Sequence, residues 1–177
     1  MNYAKIKHYD PANGEGIRIS LFVSGCNLHC KGCFNQEAQD FNYGDVFCSD
    51  TMDEIKHLVE DEHIDGLSIL GGDPLCQSEY DIMTLTTLAK YVKSLGKNVW
   101  IWSGFTWEQI FQTVVTDDIY PLRIAKQELI SVCDIWVDGP FVEELKDLRL
   151  QWRGSSNQRV IDVQKTLKQG QIVLYQD

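Results

Sequence analysis

Three cysteines stand within eight residues of the chain, at Cys26, Cys30 and Cys33. The spacing Cys-x3-Cys-x2-Cys supplies three thiolates from one loop. A tetrahedral zinc site usually takes four protein ligands, and a cubane iron–sulfur cluster is normally held by four cysteines. Three close ligands therefore favour a cluster with one iron open to a substrate or cofactor. A structural zinc loop remains the alternative, with His29 as a candidate fourth ligand inside the loop.

The other three cysteines, Cys48, Cys76 and Cys133, stand apart from one another in the sequence. We expect Cys48 to be a loop or surface thiol and Cys133 to be a small core residue. Cys76 comes two residues after Pro74, near the expected site. We expect it to have no role in the chemistry, and a role as a ligand is the less favoured alternative. The sequence thus predicts three cysteines with a chemical task and three without one.

A second motif, Gly71-Gly72-Asp73-Pro74, follows a short apolar segment. Two adjacent glycines let the backbone approach a ligand closely. Their carbonyl groups, together with the Asp73 carboxylate, can accept hydrogen bonds from an ammonium group. Taken alone, the motif predicts no more than a turn.

The elements that must position these motifs alternate along the chain, which indicates βα units and a parallel sheet. We predict a single-domain α/β fold, an open or partial βα barrel with a mostly parallel sheet and the cysteine loop after its first strand. Catalytic groups in such folds lie at the carboxyl ends of the strands. The predicted strands are residues 17–23, 66–72, 98–102 and 134–139. The predicted helices are residues 51–62, 78–95, 106–115 and 122–131.

The domain is predicted to span residues 1–163, with residues 164–177 as an extension that packs on it as a strand or hairpin near residues 168–170. The net charge is −10, from 26 acidic and 16 basic residues. Nucleic-acid binding needs a cationic surface, so we expect no such partner. The sequence has no secretory signal and no apolar run of ~18–20 residues, which predicts a cytoplasmic protein without a membrane span.

The cysteine spacing and the aromatic Phe34 after it resemble the signature of the radical S-adenosylmethionine superfamily, and the glycine motif resembles that superfamily's Gly-Gly-Glu-Pro. The resemblance implies a [4Fe–4S] cluster held by the three cysteines, and an S-adenosylmethionine molecule chelating the fourth iron. Cleavage of that molecule by one electron would give methionine and a deoxyadenosyl radical. The resemblance implies that the cofactor is lined by Gly32, Cys33 and Phe34 and meets Gly71, Gly72 and Asp73 at its methionyl end.

Within the superfamily, the order of motifs resembles the family of anaerobic ribonucleoside-triphosphate reductase-activating proteins. The segments that carry this resemblance are residues 13–35, 70–75, 100–108, 137–141 and 152–163. The last of these, beginning Trp-Arg-Gly-Ser-Ser-Asn-Gln-Arg, is the most specific. The chain departs from the family in having Gly14-Glu15-Gly16 near its start and in its tail after residue 163. The resemblance implies generation of a glycyl radical on the reductase, with an electron donor such as flavodoxin.

Several further residues have two interpretations each. Ser103 and Asp138 either contact the cofactor or a cation, or cap nearby turns, and Arg18 either forms a salt bridge or meets the cofactor. The polar residues of the 152–159 segment bind either a partner's backbone or a carboxylate, or else they form a capped turn. These are Arg153, Ser155, Ser156, Asn157 and Arg159. Two alternative functions remain: activation of a different glycyl-radical enzyme, and a non-catalytic zinc or iron–sulfur binding module.

Overall fold

One sheet of seven strands runs through the part of the chain that the computed structural model describes, residues 1–112 and 120–175. The strands are β1 (Asn2–Asp10), β2 (Arg18–Val23), β3 (Asp45–Val46), β4 (Gly66–Gly71), β5 (Asn98–Trp102), β6 (Ile135–Asp138) and β7 (Arg159–Asp162). The helices are α1 (Ser49–Val59), α2 (Glu79–Ser94), α3 (Trp107–Phe111), α4 (Tyr120–Val132) and α5 (Val163–Gln169). None of the helices described is both long and apolar enough to cross a membrane.

The strands are ordered β3-β1-β2-β4-β5-β6-β7 across the sheet. The four strands β2, β4, β5 and β6 are parallel, whereas β1, β3 and β7 pair antiparallel at the two sides. The carboxyl ends of the central strands therefore share one edge of the sheet. The prediction of a mixed α/β domain on an open, mostly parallel sheet is confirmed, and its barrel curvature stays a prediction.

The main core lies between the sheet and the helices. Along β5, Val99 and Ile101 point into this core, together with Leu85 of α2 and Leu129 of α4, and all four side chains are fully buried. Strand residues alternate between the two faces of a sheet, so Trp100 and Trp102 point to the other face. Burial of apolar side chains contributes about 1.5–3 kcal/mol each, which makes this layer the main stabilising contact of the domain.

A smaller cluster covers the second face of the sheet. Trp100 packs with Val137 of β6 and Val160 of β7, and the rings of Trp152 and Tyr175 lie 4.8 and 5.5 Å from the Trp100 ring. The Trp152 and Tyr175 side chains come from a loop and from the tail, not from helices. The second face is therefore roofed by irregular chain, and a cavity lies under that roof.

The four predicted strands and the helices are present with shifted bounds, but the chain begins with a strand that the sequence did not predict. Because β1 precedes β2, the cysteine loop follows the second strand and not the first. Helix α3 begins with a capping box, in which Thr106 Oγ1 accepts from the Gln109 amide and Gln109 Oε1 accepts from the Thr106 amide. Its predicted continuation to residue 115 falls partly outside the described residues.

The tail forms a helix where a hairpin was predicted. The Asp162 carboxylate accepts a hydrogen bond from the Lys165 amide at 2.9 Å, which caps the start of α5. Gly170 ends the helix with φ of +68°, the left-handed conformation that glycine adopts at little cost. The chain then returns along β7: Leu174 forms an antiparallel bridge with Ile161, the Asp162 amide donates to the Val173 carbonyl at 2.9 Å, and the Tyr175 amide donates to the Val160 carbonyl at 2.8 Å. Residues 163–169 are therefore a helix and not one arm of a hairpin, because both capping signals of a helix flank them, whereas the residues after Gly170 lie against β7.

Candidate iron–sulfur site

A cavity of about 670 Å³ opens at the carboxyl ends of β2, β4 and β5, on the face of the sheet opposite the helices. Its walls come from the cysteine loop, the glycine motif and the 152–158 segment, which are far apart in the sequence. The predicted site residues that line it are Cys26, Cys30, Cys33, Phe34, Gly71, Gly72, Asp73 and Ser103. The structure therefore brings most of the predicted site into one place.

Backbone hydrogen bonds close the cysteine loop at its base. The Gly25 amide donates to the Ala38 carbonyl at 2.8 Å, and the Cys26 amide donates to the Gln39 carbonyl at 3.1 Å. Within the loop the Cys33 amide donates to the Cys30 carbonyl at 3.2 Å, which forms a tight turn. The base of the loop is therefore held by a short 3₁₀ turn, residues Glu37–Gln39, and all three cysteines line the cavity.

The electrostatics of the thiols suit a cationic group between them. Burial raises the pKa of the Cys30 thiol, and negative charge on Cys26 and Cys33 raises it further. Negative charge at Cys30 is therefore repelled by charge on Cys26 and Cys33, which line the same cavity. Iron ions bound there would relieve that repulsion, since metals bind thiolates and stabilise the deprotonated form. The donor set thus fits an iron–sulfur cluster.

His29 is excluded as a fourth ligand from within the loop. Its side chain is exposed and does not line the cavity. Its Nδ1 lies 3.2 Å from Gln39 Oε1, and its backbone has φ of +47°. The ring therefore points away from the three cysteines.

The glycine motif abuts the cysteine loop through its backbone. The Gly72 amide donates to the Val23 carbonyl at 2.7 Å, and the Asp73 amide donates to the Gly25 carbonyl at 2.9 Å. A Cβ atom on Gly72 would lie 2.6 Å from the carbonyl oxygens of both Gly25 and Ala38. The glycine is therefore required by contact between two loops, in addition to any contact with a ligand.

Asp73 joins the glycine motif to the loop after β5. Its carboxylate accepts hydrogen bonds from the Leu75 amide at 2.8 Å, the Gly104 amide at 2.8 Å and the Ser103 hydroxyl at 2.9 and 3.0 Å. Burial raises the pKa of Asp73 to about 6, although these donors oppose the shift. The carboxylate therefore fixes the positions of two walls of the cavity.

Gln77 is a positioning residue that the sequence did not reveal. Its side chain is buried, and its Nε2 donates to the carbonyl oxygens of Ser24, Gly25 and Asp73 at 3.0–3.2 Å. One amide thus ties the end of β2 to the glycine motif. A glutamine five residues after Gly72 carries no recognised motif, so no signal in the sequence marked it.

Two predicted site residues do not line the cavity. The Asp138 carboxylate accepts from Arg159 Nε at 2.9 Å and from the Trp107 amide at 2.8 Å, which caps α3. Gly32 is exposed at the rim, where a Cβ atom would lie 2.8 Å from Glu143 Oε1. The geometry supports the capping interpretation of Asp138. Gly32 is not among the residues that line the cavity, so its contact with the cofactor stays a prediction.

Arg18 has neither of the two roles considered for it. It is fully buried, and its guanidinium donates to Ser68 Oγ at 2.6 Å, Asn98 Oδ1 at 2.6 Å and the Leu67 carbonyl at 2.7 Å. Burial lowers the pKa of Arg18 to about 10. No salt bridge to it is found among the described residues, and it does not line the cavity. Arg18 therefore links β2, β4 and β5 at their amino-terminal side.

The 152–158 segment forms the outer wall of the cavity. Gln158 Oε1 accepts from the Gly154 amide at 2.9 Å, while Gln158 Nε2 donates to the Gly139 carbonyl at 3.0 Å. Asn157 Nδ2 donates to the Pro140 carbonyl at 2.8 Å. The segment is thus bound to the loop after β6, as the capped-turn interpretation predicts. Gln158, which lines the cavity, was missed by the sequence analysis.

Arg153 is the one cationic side chain among the residues found to line the cavity. Its Nη1 donates to the Gln158 carbonyl at 3.2 Å, while its Nε is buried with no hydrogen-bond partner. Buried donors in folded proteins are nearly always paired, so this one calls for an acceptor. Its place in the lining makes Arg153 the candidate for binding a carboxylate in the cavity.

Comparison with known proteins agrees with this geometry. A family model described as a 4Fe-4S single cluster domain matches residues 12–161. The anaerobic ribonucleoside-triphosphate reductase-activating protein of Escherichia coli K12 is 37% identical over 163 residues, covering 90% of this chain and 97% of that protein. The chain belongs to this family of activating proteins. The proteins of the same name from Vibrio cholerae O1 and Enterobacteria phage T4 are 36% and 34% identical, over 89% and 90% of this chain and 96% and 93% of their own.

The comparison decides between zinc and an iron–sulfur cluster, the two alternatives that the cysteine spacing left open. The matched model describes a single-cluster domain, and its range includes all three cysteines of the loop. The cysteine-rich cavity is therefore an iron–sulfur site, and the structural-zinc alternative for this loop is set aside. The family resemblance inferred from the motifs is confirmed.

Proposed function

We propose that this chain cleaves S-adenosylmethionine at a [4Fe–4S] cluster and generates the glycyl radical of an anaerobic ribonucleoside-triphosphate reductase. The observation that carries the proposal is the convergence of Cys26, Cys30 and Cys33 with the glycine motif in one cavity. Such a cavity holds a cluster with three protein ligands and leaves space beside it for a cofactor. The names of the relatives supply the partner.

The three cysteines hold the cluster, and the chain around them limits water. Cys26 is buried at the bottom of the cavity, whereas Cys30 and Cys33 are partly buried nearer the rim. Phe34 packs against Phe141 with ring centroids 5.4 Å apart, which covers the loop beside the third cysteine. A cluster in weakly solvated surroundings is suited to low-potential electron transfer.

The cofactor's methionyl group is proposed to lie against the glycine motif and Arg153. When bound, the cluster would supply one electron, and S-adenosylmethionine would supply the carbon-centred radical for removing a hydrogen atom from a glycine of the partner. The carbonyls of Gly71 and Gly72 would accept from the methionyl ammonium, and Asp73 and Ser103 would keep the glycine motif in place. The Arg153 guanidinium pairs with the carboxylate.

A protein substrate requires an open mouth, and the rim of the cavity is suited to one. Leu148 and Phe34 line the cavity, and their side chains are 82% and 62% exposed. Large apolar side chains at the edge of a cavity are typical of a surface that another molecule covers. The partner's glycine segment is proposed to enter beside these two residues, and a reduced flavodoxin-type protein is proposed as the electron donor.

The test is electron paramagnetic resonance of the reconstituted chain mixed with the reductase, S-adenosylmethionine and a reductant under anaerobic conditions. We expect a glycyl-type doublet that appears only when the chain, the reductase, S-adenosylmethionine and the reductant are all present. The Cys30→Ala variant, which lacks one ligand, should give no doublet, whereas Cys48→Ala should match the wild type. Cleavage of S-adenosylmethionine without a doublet would show the wrong partner, and no cleavage at all would overturn the proposal.

A further inference from the structure

Cys76 lies behind the cysteine loop and outside the lining of the cavity. Its Sγ, the Sγ of Cys26 and a carboxylate oxygen of Asp73 all lie within 4.8 Å of one another. We propose that these three groups form a second metal site, which binds one thiophilic divalent cation of the Zn²⁺ class when the chain carries no cluster. This inference does not rest on the proposed radical chemistry.

The protein holds the three groups together before any metal binds. Cys76 ends the short 3₁₀ turn that begins at Pro74, and its amide donates to the Asp73 carbonyl at 3.0 Å. The next residue, Gln77, binds the carbonyls on either side of the junction with the cysteine loop. The position of Cys76 relative to Cys26 is therefore fixed by a buried side chain and not by a mobile loop.

The donor set selects the class of cation. Two thiolates and one carboxylate suit zinc, whereas calcium and magnesium require six or more oxygen ligands. Ligand atoms around a tetrahedral zinc ion lie about 3.3–3.8 Å apart, as follows from metal–ligand distances of about 2.0–2.3 Å. The three ligand atoms lie within 4.8 Å of one another, so a movement of about an ångström or less closes the site. Water fills the fourth position.

The surroundings of Asp73 match those of a ligating carboxylate. Ligands of metal sites are usually oriented by hydrogen bonds from outer residues, and Asp73 receives them from Ser103 and Gly104. Asp73 and Cys26 are buried and Cys76 is half-buried. A cation in this position is therefore shielded from solvent on most sides.

Sharing of Cys26 makes the two metal sites mutually exclusive. A thiolate that binds an iron of the cluster is turned toward the cavity, whereas a cation on the Cys76 side draws it away. Zinc bound at Cys26, Asp73 and Cys76 must therefore leave before the cluster assembles. In the cluster-free chain, zinc would keep the Cys26 thiolate bound, and the chain would therefore load iron slowly.

The test uses Co²⁺ as a spectroscopic substitute for zinc and the full chain with Cys30 and Cys33 both replaced by serine. That double variant cannot assemble the three-cysteine site, but it keeps all three groups of the proposed one. We expect one Co²⁺ per chain, with a thiolate-to-cobalt charge-transfer band that zinc displaces. Adding Cys76→Ser should weaken binding by about 100-fold or more, since even outer-sphere changes cost about 10–100-fold.

The matched control adds Cys48→Ser to the same double variant, because Cys48 is an exposed thiol away from the site. Circular dichroism checks that every variant is folded, and Asp73→Asn serves as a second disruption if the Cys76 variant is not. Binding that is absent from the double variant, or that survives loss of Cys76, would overturn the proposal. In the wild type, bound zinc should slow cluster assembly, and Cys76→Ser should remove that delay.

Discussion

The hydroxyl of Ser103 donates to both carboxylate oxygens of Asp73, at 2.9 and 3.0 Å, and both side chains are buried. This contact joins the loop after β4 to the loop after β5, which are adjacent in the sheet but 30 residues apart in the chain. Two walls of the cavity are thus fixed by one pair of side chains.

Ser103→Ala should lower the free energy of unfolding by about 1–2 kcal/mol, because a hydrogen bond to a charged group is lost in a buried site. The Leu75 and Gly104 amides still donate to Asp73, which limits the effect. Chemical denaturation of the cluster-free chain measures it. Ser156→Ala, at an exposed serine of the outer wall, should change stability by less than about 0.5 kcal/mol. Equal effects of the two substitutions would argue against a stabilising role of the Ser103–Asp73 hydrogen bond between the two loops.

Gly72→Ala should destabilise the chain by about 3 kcal/mol, since the added methyl group meets two backbone carbonyls that cannot move independently. Iron incorporation should fall with it, because the displaced backbone carries the cysteine loop. The control is Gly170→Ala, where no atom lies within 4 Å of the added Cβ and only the left-handed backbone, at φ of +68°, is strained. That variant should lose about 1–2 kcal/mol and keep its iron content.

The sequence predicted the parallel core of the fold well, because β2, β4 and β5 are short, densely apolar segments that can be recognised without knowledge of their partners. It missed β1, in which most side chains are only partly buried. Polar residues such as Lys5 and His8 interrupt its pattern, and a strand on the outer side of a sheet needs no continuous apolar face. The tail was assigned to a hairpin although Asp162 and Gly170 carry the capping signals of a helix.

The cysteines and glycines of the site were predictable because their spacing is local. Gln77, Arg18 and Gln158 were not assigned their roles, since each acts through partners distant in the sequence. Arg18, for example, bonds to Ser68 and Asn98, which lie 50 and 80 residues away. Only the packed sheet brings such partners together, so no motif in one sequence reveals them.

Cys33→Ala should reduce the iron content of the reconstituted chain well below about four per chain, the number expected for a [4Fe–4S] cluster. Cys33 lines the cavity and belongs to the loop that the family model covers. The control, Cys133→Ala, removes a fully buried thiol that donates to the Leu129 carbonyl at 3.3 Å in the helix-side core. Iron analysis and visible absorption should find that variant unchanged. An equal loss of iron in both would point to general misfolding.

Arg153→Gln should weaken binding of S-adenosylmethionine to the cluster-loaded chain by about 10–100-fold, since charge-assisted hydrogen bonds contribute about 1.5–3 kcal/mol. Equilibrium binding under anaerobic conditions measures it. Arg149→Gln is the matched control, because Arg149 is exposed and its guanidinium already pairs with Asp147 at 3.0 and 2.8 Å. Unchanged affinity in Arg153→Gln would exclude Arg153 as the group that binds the cofactor's carboxylate.

Glu108→Gln should flatten the dependence of stability on pH in the acidic range. The Arg159 guanidinium, which bonds to both oxygens of Glu108 at 3.0 and 2.9 Å, lowers the pKa of that carboxyl to about 2. The unfolded chain has its ordinary pKa near ~4.3, so the unfolded state binds the proton first as the pH falls. The ion pair therefore stabilises the fold fully above pH ~4.3, and this stabilisation is lost as the pH falls toward about 2.

The expected size is about 1 kcal/mol or less, because the Glu108 side chain is 45% exposed and water screens the pair. Urea denaturation of the cluster-free chain from pH 6 to pH 3 compares wild type with Glu108→Gln. The two curves should differ most at pH 6 and converge on acidification. Glu143→Gln, at an exposed carboxylate that pairs with exposed Lys31, should follow the wild-type curve. Divergence of the Glu108 variant toward low pH would mean that the carboxylate destabilises the fold, contrary to the geometry around Arg159.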